Sequence, residues 1–142
     1  MVQFSWTDDL YTGSSLIDGD HRKLVALVNA FFQTMQGGQD RGQVSQAMNA
    51  LLAYTGEHFA REEAEMERIQ YVAVLAHKAE HTKLLKQLVE LKQMLDAGGR
   101  MNAPAVAEFL SGWLHNHILT TDMKLAAALK QARSTAPMAQ LY

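Results

Sequence analysis

Apolar residues recur every three or four positions along most of this chain, in four stretches separated by short polar turns. On an α-helix that spacing places the apolar side chains on one face, one turn apart. A strand would instead show strict alternation, which none of the four stretches has. The pattern therefore predicts four amphipathic helices, over about residues 18–36, 41–69, 73–97 and 102–132.

Residue types at the ends of these stretches support the predicted boundaries. Asp18 is expected to cap the first helix, since a short polar side chain there can accept a free backbone N–H. Gly37-Gly38 and Gly98-Gly99 are expected to end the first and third helices. Asn102, with Pro104 behind it, is the predicted start of the fourth.

Four helices of this length, joined by short turns, predict an all-α protein that folds as an up-down-up-down antiparallel four-helix bundle. The chain is read as a single domain, residues 1–142, in which the bundle occupies 18–132. Residues 1–17 carry apolar side chains at irregular spacing and are expected to form an irregular arm across the bundle. From Arg133 onward no pattern remains, so a mobile tail is expected at 133–142.

Composition excludes several classes of protein. With 142 residues and 48% apolar content, the chain is long enough to bury a core. It contains no cysteine, which excludes disulfides, thiolate metal sites and iron–sulfur clusters. A net charge of -2 without a basic run argues against binding to nucleic acid. No apolar run approaches the ~20 residues of a membrane span, and no signal peptide is seen, so a cytoplasmic protein without membrane insertion is expected.

Five of the six histidines fall at positions where the predicted stripes call for a core residue. They are His21, His58, His77, His81 and His117. A buried imidazole without a partner is costly, so five of them in one core require a common explanation. In an antiparallel bundle all five lie roughly 5 to 20 Å from the same end, given a rise of ~1.5 Å per residue. They can therefore converge on one site.

Two pairs of metal-binding residue types share one spacing. His58 and Glu62 are four residues apart, and so are His77 and His81. Each pair therefore occupies one helix face, one turn apart. Both pairs are expected to face inward near the turn around residues 70–72, where the second and third helices fold back on each other.

A carboxylate in the fourth helix has an unusual spacing. Asp122 follows His117 by five residues, which at ~100° per residue is too far round a regular helix for a shared face. Yet Leu125 and Leu129 continue the apolar stripe from Asp122. The slip of one residue predicts a single-turn π-bulge between His117 and Asp122, a feature often found at functional sites.

The five histidines at core positions, together with Glu62 and Asp122, resemble the signature of the hemerythrin family in its bacterial single-domain form. The surrounding segments IDGDH, HFAREE, HKAEH and WLHNHILTTD and the early Trp6 also look like that family. The resemblance covers nearly the whole chain and implies two iron ions, bridged by an oxo or hydroxo group and by two carboxylates, Glu62 and Asp122. It implies one iron on three imidazoles, His77, His81 and His117, and the other on two, His21 and His58.

This ligand set leaves one position open. Five imidazoles, two bridging carboxylates and the oxo or hydroxo bridge supply all but one of the positions of two six-coordinate irons. The family binds dioxygen reversibly at such a position, on the iron with two histidines. The chain also lacks the Glu-x-x-His pairs of carboxylate-rich di-iron proteins, which favours binding over activation of dioxygen.

The expected function is therefore reversible dioxygen binding for transport, storage or delivery, without enzymatic activity. Dioxygen is the expected partner, with a protein recipient of oxygen as a possible second one. Two alternatives remain open: a module that senses oxygen or redox state, and a di-iron enzyme acting on peroxide or nitric oxide.

Four apolar residues are candidates for the wall of the dioxygen pocket. Leu114, one turn before His117, is expected to line the open position and exclude water. Phe59, Trp113 and Ile118 are secondary candidates, for which ordinary core packing is an equal alternative.

Two polar neighbours of the expected ligands need separate interpretation. Glu63 is expected to be solvated or to hydrogen-bond a ligand imidazole. His115, two residues before His117, is expected to point away from the metal.

Overall fold

The computed structural model describes residues 4–36, 41–97 and 103–135. Within these ranges the chain is helical, with no strand. A short 3-10 helix, Asp8–Leu10, precedes five helices: α1 Ser15–Gln36, α2 Arg41–Arg68, α3 Val74–Asp96, α4 Ala103–His117 and, after a π-helical segment Ile118–Asp122, α5 Met123–Thr135. The expected turns at Gly37-Gly38 and Gly98-Gly99, the expected start at Asn102 and most of the expected tail lie outside the described residues.

The π-helical segment lies inside one continuous helical rod. The backbone angles at its two ends are helical, with φ -62° and ψ -46° at His117 and φ -64° and ψ -34° at Met123. We call α4, this π segment and α5 together the fourth rod. It continues to Thr135, a few residues beyond the predicted end at about 132.

The four rods pack as the predicted bundle. Helix α1 packs against α2 and against α4, and α2 packs against α3. The apolar stripes read from the sequence face inward. Within the described ranges, nineteen buried residues form an apolar core along the bundle. None of the described helices combines the length and the apolar character needed to cross a membrane.

The N-terminal arm, residues 4–14, is held against the bundle by a backbone contact and by burial. The Phe4 N–H donates to Asn29 Oδ1 at 2.8 Å, and Asn29 Nδ2 donates back to the Phe4 carbonyl at 2.9 Å. Phe4 and Leu10 are both buried. Irregular spacing in the sequence thus corresponds to an arm with a single 3-10 turn, which contacts the bundle through Phe4 and Leu10.

The prediction that Asp18 caps the first helix is wrong. Helix α1 begins at Ser15, and the hydroxyl of Ser14 accepts the Ile17 N–H at 3.3 Å, as a capping side chain does. The Asp18 carboxylate instead accepts the N–H groups of Thr12 and Gly13, at 2.8 and 3.2 Å. Asp18 therefore fixes the turn that leads into the helix, and the cap lies one turn earlier.

Helix α2 ends in a Schellman motif, the hydrogen-bonding pattern in which a left-handed residue closes a helix. The Tyr71 N–H donates to the Met66 carbonyl at 2.9 Å, and the Gln70 N–H donates to the Glu67 carbonyl at 3.2 Å. The left-handed position is Gln70, with φ 54°. Glycine is the usual residue there because it lacks the Cβ that this conformation crowds.

Replacing Gln70 with glycine is expected to stabilise the protein by about 0.5–1 kcal/mol, since a non-glycine residue loses ~1–2 kcal/mol in this conformation and glycine returns part of that as chain entropy. Urea unfolding measures the difference. Gln70→Ala is the matched control, because alanine keeps the Cβ and gains nothing. Equal stability of the two variants would contradict the expectation.

Candidate metal centre

The structure brings all seven predicted site residues into one buried layer near an end of the bundle. Each is at most 4% exposed. They are His21 from α1, His58 and Glu62 from α2, His77 and His81 from α3, His117 from α4 and Asp122 from the π segment. All four rods contribute at least one side chain, so the layer forms only when the whole bundle is folded.

The layer is enclosed by apolar side chains on both sides. On α1, His21 lies between Ile17 and Leu24, which belong to two separate apolar clusters. On α2, Glu62 lies in the same way between Phe59 and Met66. The polar layer is therefore shielded from water along the bundle axis, which strengthens every electrostatic interaction inside it.

The predicted π-bulge is confirmed at Ile118–Asp122. The Met123 N–H bonds to the Ile118 carbonyl, five residues back, as in a π-helix. The wider turn absorbs the extra residue between His117 and Asp122, so both side chains face the layer. Leu125 and Leu129 are buried beyond it, as the slipped stripe predicts.

Glu62 turns its two carboxylate oxygens toward different histidines. Oε1 lies 2.9 Å from His81 Nε2 and 3.3 Å from His77 Nε2. Oε2 lies 3.1 Å from His58 Nε2 and 3.6 Å from His21 Nε2. One oxygen thus faces the two α3 histidines, and the other faces the α1 and α2 histidines.

Asp122 divides its oxygens in the same way. Oδ1 lies 3.0 Å from His117 Nε2 and 3.1 Å from His77 Nε2. Oδ2 lies 2.8 Å from His21 Nε2. Each carboxylate therefore reaches both halves of the layer, which is the arrangement a bridging ligand requires.

Two groups of donor atoms result, each with its atoms within 4.8 Å of one another. We call them the three-histidine group, formed by Glu62, Asp122, His77, His81 and His117, and the two-histidine group, formed by Glu62, Asp122, His21 and His58. Both carboxylates belong to both groups. The histidines divide between them as the family resemblance implies.

Most of these donor atoms lack hydrogen bonds within the described part of the chain. The Nε2 atoms of His21, His58, His77 and His117 are fully buried and form none, although carboxylate oxygens are close. Glu62 Oε2 and both oxygens of Asp122 are in the same condition. Leaving a buried polar group unpaired costs about 1–3 kcal/mol. Cations between the facing nitrogens and oxygens would satisfy all of them, and this donor set suits a transition metal.

Electrostatics in the layer favour positive charge. Burial lowers the pKa of His58, but its contacts with Asp20 and Glu62 outweigh that effect and raise the pKa to about 9. His77 behaves similarly: contacts with Asp122 and Glu62 overcome burial and raise its pKa to about 9. Burial raises the pKa of Glu62, yet the surrounding histidines hold it well below 4.5. The two carboxylates thus attract cations, whether protons or metal ions.

Two imidazoles contact a further carboxylate on their outer side. His81 Nδ1 lies 2.9 Å from Glu63 Oε2, so Glu63 hydrogen-bonds an imidazole of the layer. His58 Nδ1 lies 2.8 Å from Asp20 Oδ2, a contact that the sequence analysis missed. The only signal in the sequence was the acidic residue Asp20 directly before His21. The structure shows that Asp20 is buried. The His115 ring faces Phe4, with 6.2 Å between ring centroids, which places it on the arm side of α4.

Phe59 is the apolar candidate with direct contacts to the layer. Its ring stacks on His81, with centroids 3.8 Å apart and planes at 5°, and it lies 5.7 Å from the His117 ring. Leu114 and Ile118 are fully buried members of the same apolar core. These three side chains lie on the side of the layer that faces the main core.

A surface groove lies between α3 and α4. The groove has a volume of about 350 Å³, and its lining includes Trp113 and His117. His117 therefore belongs both to the lining of this groove and to the three-histidine group. Trp113 therefore lines a surface groove rather than the apolar side of the layer alone.

A four-helix bundle in which all four rods bury imidazoles or carboxylates in one layer has the features of helical proteins that bind metal ions in the core of the bundle. A family profile described as the hemerythrin HHE cation binding domain matches residues 12–129. The chain belongs to the hemerythrin family.

Individual relatives agree with this assignment. The chain is 31% identical over 134 residues to a bacteriohemerythrin of Pseudomonas aeruginosa, covering 94% of this chain and 86% of the relative. It is 32% identical over 123 residues to a bacteriohemerythrin of Methylococcus capsulatus, covering 86% and 93%. A crystal structure of a wild-type hemerythrin superposes with a TM-score of 0.82 at 30% identity, covering 90% of this chain and 98% of that one. The family resemblance and the four-helix fold are thereby confirmed.

Proposed function

We propose that this protein holds two iron ions in the buried layer and binds dioxygen reversibly there, as a carrier, store or delivery protein. One observation carries the proposal: Glu62 and Asp122 each direct one oxygen to the three-histidine group and the other to the two-histidine group. Membership of a cation-binding family and relatives named bacteriohemerythrin support it.

In this proposal His77, His81 and His117 would hold one iron, His21 and His58 would hold the other, and Glu62 with Asp122 would bridge them. A bound iron pair supplies the reversible exchange of two electrons with dioxygen. The chain contributes unequal donor numbers, so the two-histidine group keeps room for a small molecule. It also contributes the apolar side, where Phe59, Leu114 and Ile118 exclude water.

The positions of Asp20 and Glu63 favour reversible binding over catalysis. Asp20 and Glu63, which contact imidazoles from outside, are each engaged with a histidine ring nitrogen at 2.8 and 2.9 Å. Both carboxylates therefore contact the outer side of an imidazole rather than a molecule bound inside the layer. Neutral imidazoles also donate less charge than carboxylates, which disfavours the high-valent iron that O–O cleavage requires.

The decisive experiment loads the protein with ferrous iron under argon and counts the iron bound. Two irons per chain are expected. Admitting air should produce a visible charge-transfer band, and returning to argon should remove it over repeated cycles. Zinc-loaded protein is the matched control and should show no band under either gas. Irreversible bleaching, with consumption of added peroxide, would reject the carrier and favour an enzyme.

A further inference from the structure

Asp20 occupies a buried position on α1 where each of its oxygens has two partners. It is 7% exposed. Oδ1 accepts the Tyr54 hydroxyl at 2.8 Å and Arg61 Nη2 at 3.0 Å. Oδ2 accepts Arg61 Nε at 2.8 Å and lies 2.8 Å from His58 Nδ1. Tyr54, His58 and Arg61 all come from α2, so Asp20 joins the two helices at the level of the metal layer.

This arrangement fixes the orientation of the His58 ring. Its Nε2 lies 3.1 Å from Glu62 Oε2, in the two-histidine group. With Nε2 used as a donor to a cation, the ring proton resides on Nδ1 and is donated to Asp20. A carboxylate that accepts this proton raises the basicity of the imidazole and holds its plane.

Arg61 compensates the negative charge of the buried Asp20 carboxylate. Its guanidinium meets both oxygens of Asp20, the two-pronged geometry that gives Arg–carboxylate pairs their strength. The guanidinium carbon also lies 5.3 Å from the centroid of the Tyr54 ring. The Arg61 side chain is 38% exposed, so this chain of contacts runs from solvent to the layer.

The three-histidine group has a weaker counterpart. Glu63 reaches His81 Nδ1 at 2.9 Å, but its side chain is 31% exposed. Water competes for an exposed carboxylate and screens its charge, whereas Asp20 is buried and charge-paired. The two halves of the layer therefore differ in the carboxylate behind the imidazole as well as in histidine number.

We propose that Asp20 is a positioning residue for the two-histidine group: held by Arg61 and Tyr54, it orients His58 and sets how firmly that half of the site retains its metal and at what potential. The inference rests on the proposed function, since it assumes a metal in each half. It assigns no contact between Asp20 and the metal.

Asp20→Asn is the test, with Glu63→Gln as its matched control, because both replace a carboxylate behind an imidazole by the equivalent amide. Asp20→Asn should weaken retention of one of two bound Co²⁺ ions about 10- to 100-fold in competition with a chelator, the usual effect of losing such a partner. Glu63→Gln should change retention by no more than about fivefold, the upper end for an exposed pair. Both are measured without dioxygen.

The midpoint potential of the iron-loaded protein provides a second readout. A less basic His58 stabilises the oxidised metal less, so Asp20→Asn should raise the potential more than Glu63→Gln does. Asp20→Glu keeps the charge and should recover part of the metal retention, which a purely structural loss of packing would not allow. Circular dichroism establishes that each variant is folded.

The outcomes separate this inference from the proposed function. If Asp20→Asn and Glu63→Gln behave alike in both readouts, the positioning role is wrong while the metal pair stands. If the unmodified chain binds no metal, the proposed function itself fails. Retention lost in Asp20→Asn, with a raised potential and recovery in Asp20→Glu, supports the positioning role.

Discussion

Glu62→Gln is expected to remove the metal pair, lowering the metal bound per chain from two ions to at most one. The glutamate directs Oε1 to His81 at 2.9 Å and Oε2 to His58 at 3.1 Å, so its two oxygens serve different halves of the layer. Glutamine supplies only one oxygen. Its NH₂ group, which does not bind a cation, would replace the other oxygen in one half of the layer. We expect the affinity to fall at least about 100-fold, the upper range for residues that merely support a ligand. Metal analysis after dialysis against a chelator measures the result.

Glu65→Gln is the matched control, since Glu65 lies on the same helix and pairs with Arg68 outside the layer. It should leave two ions bound. Asp122→Asn should reproduce the loss, because Asp122 divides its oxygens in the same way. Two tightly bound ions in folded Glu62→Gln protein would show that Glu62 does not bridge them.

The helical pattern was sufficient to predict the bundle because each rod buries one continuous stripe. Burial of Leu24, Val28 and Phe31 on α1 follows directly from their spacing. The π segment was also predictable, since the stripe slips by one residue at Asp122 and a helix can absorb an extra residue only by widening a turn. Both features could be predicted because the spacing of apolar residues along a helix depends only on residues that are close in the sequence.

The spacing of apolar residues does not predict which side chains meet between two helices. Asp20 and His58 are 38 positions apart, and their contact depends on how α1 and α2 are rotated against each other. The stripe on α1 pointed to His21 as the inward residue and left Asp20 unassigned. The prediction of Asp18 as the cap failed for a related reason. Serine is also a good capping residue, and the arm decides which N–H groups Asp18 meets. What the sequence left undetermined is thus concentrated around the first helix.

Leu114→Asn is expected to shorten the lifetime of the dioxygen-loaded protein at least about tenfold, because a buried amide recruits water to a site that the apolar side chain keeps dry. Leu114 is 2% exposed and belongs to the apolar core that contains Phe59, which itself stacks on His81. Water beside the metal pair would stabilise separated charge and supply protons, so the bound molecule would leave in reduced form, as peroxide, and the metal pair would remain oxidised. The rate at which the visible band decays in air-saturated buffer measures this lifetime.

Leu110→Ala separates this effect from loss of stability. Leu110 is fully buried on the same helix, one turn farther from the layer. Truncating a buried leucine to alanine costs about 2–5 kcal/mol wherever it occurs. Leu114→Ala and Leu110→Ala should therefore unfold at similarly reduced denaturant concentrations, while the lifetime shortens only in Leu114→Ala. If the oxygenated forms of the two alanine variants decay at the same rate, Leu114 contributes packing alone. The wall of the pocket must then be sought at the other apolar candidates, Phe59, which stacks on His81, and Ile118, which is buried in the same core.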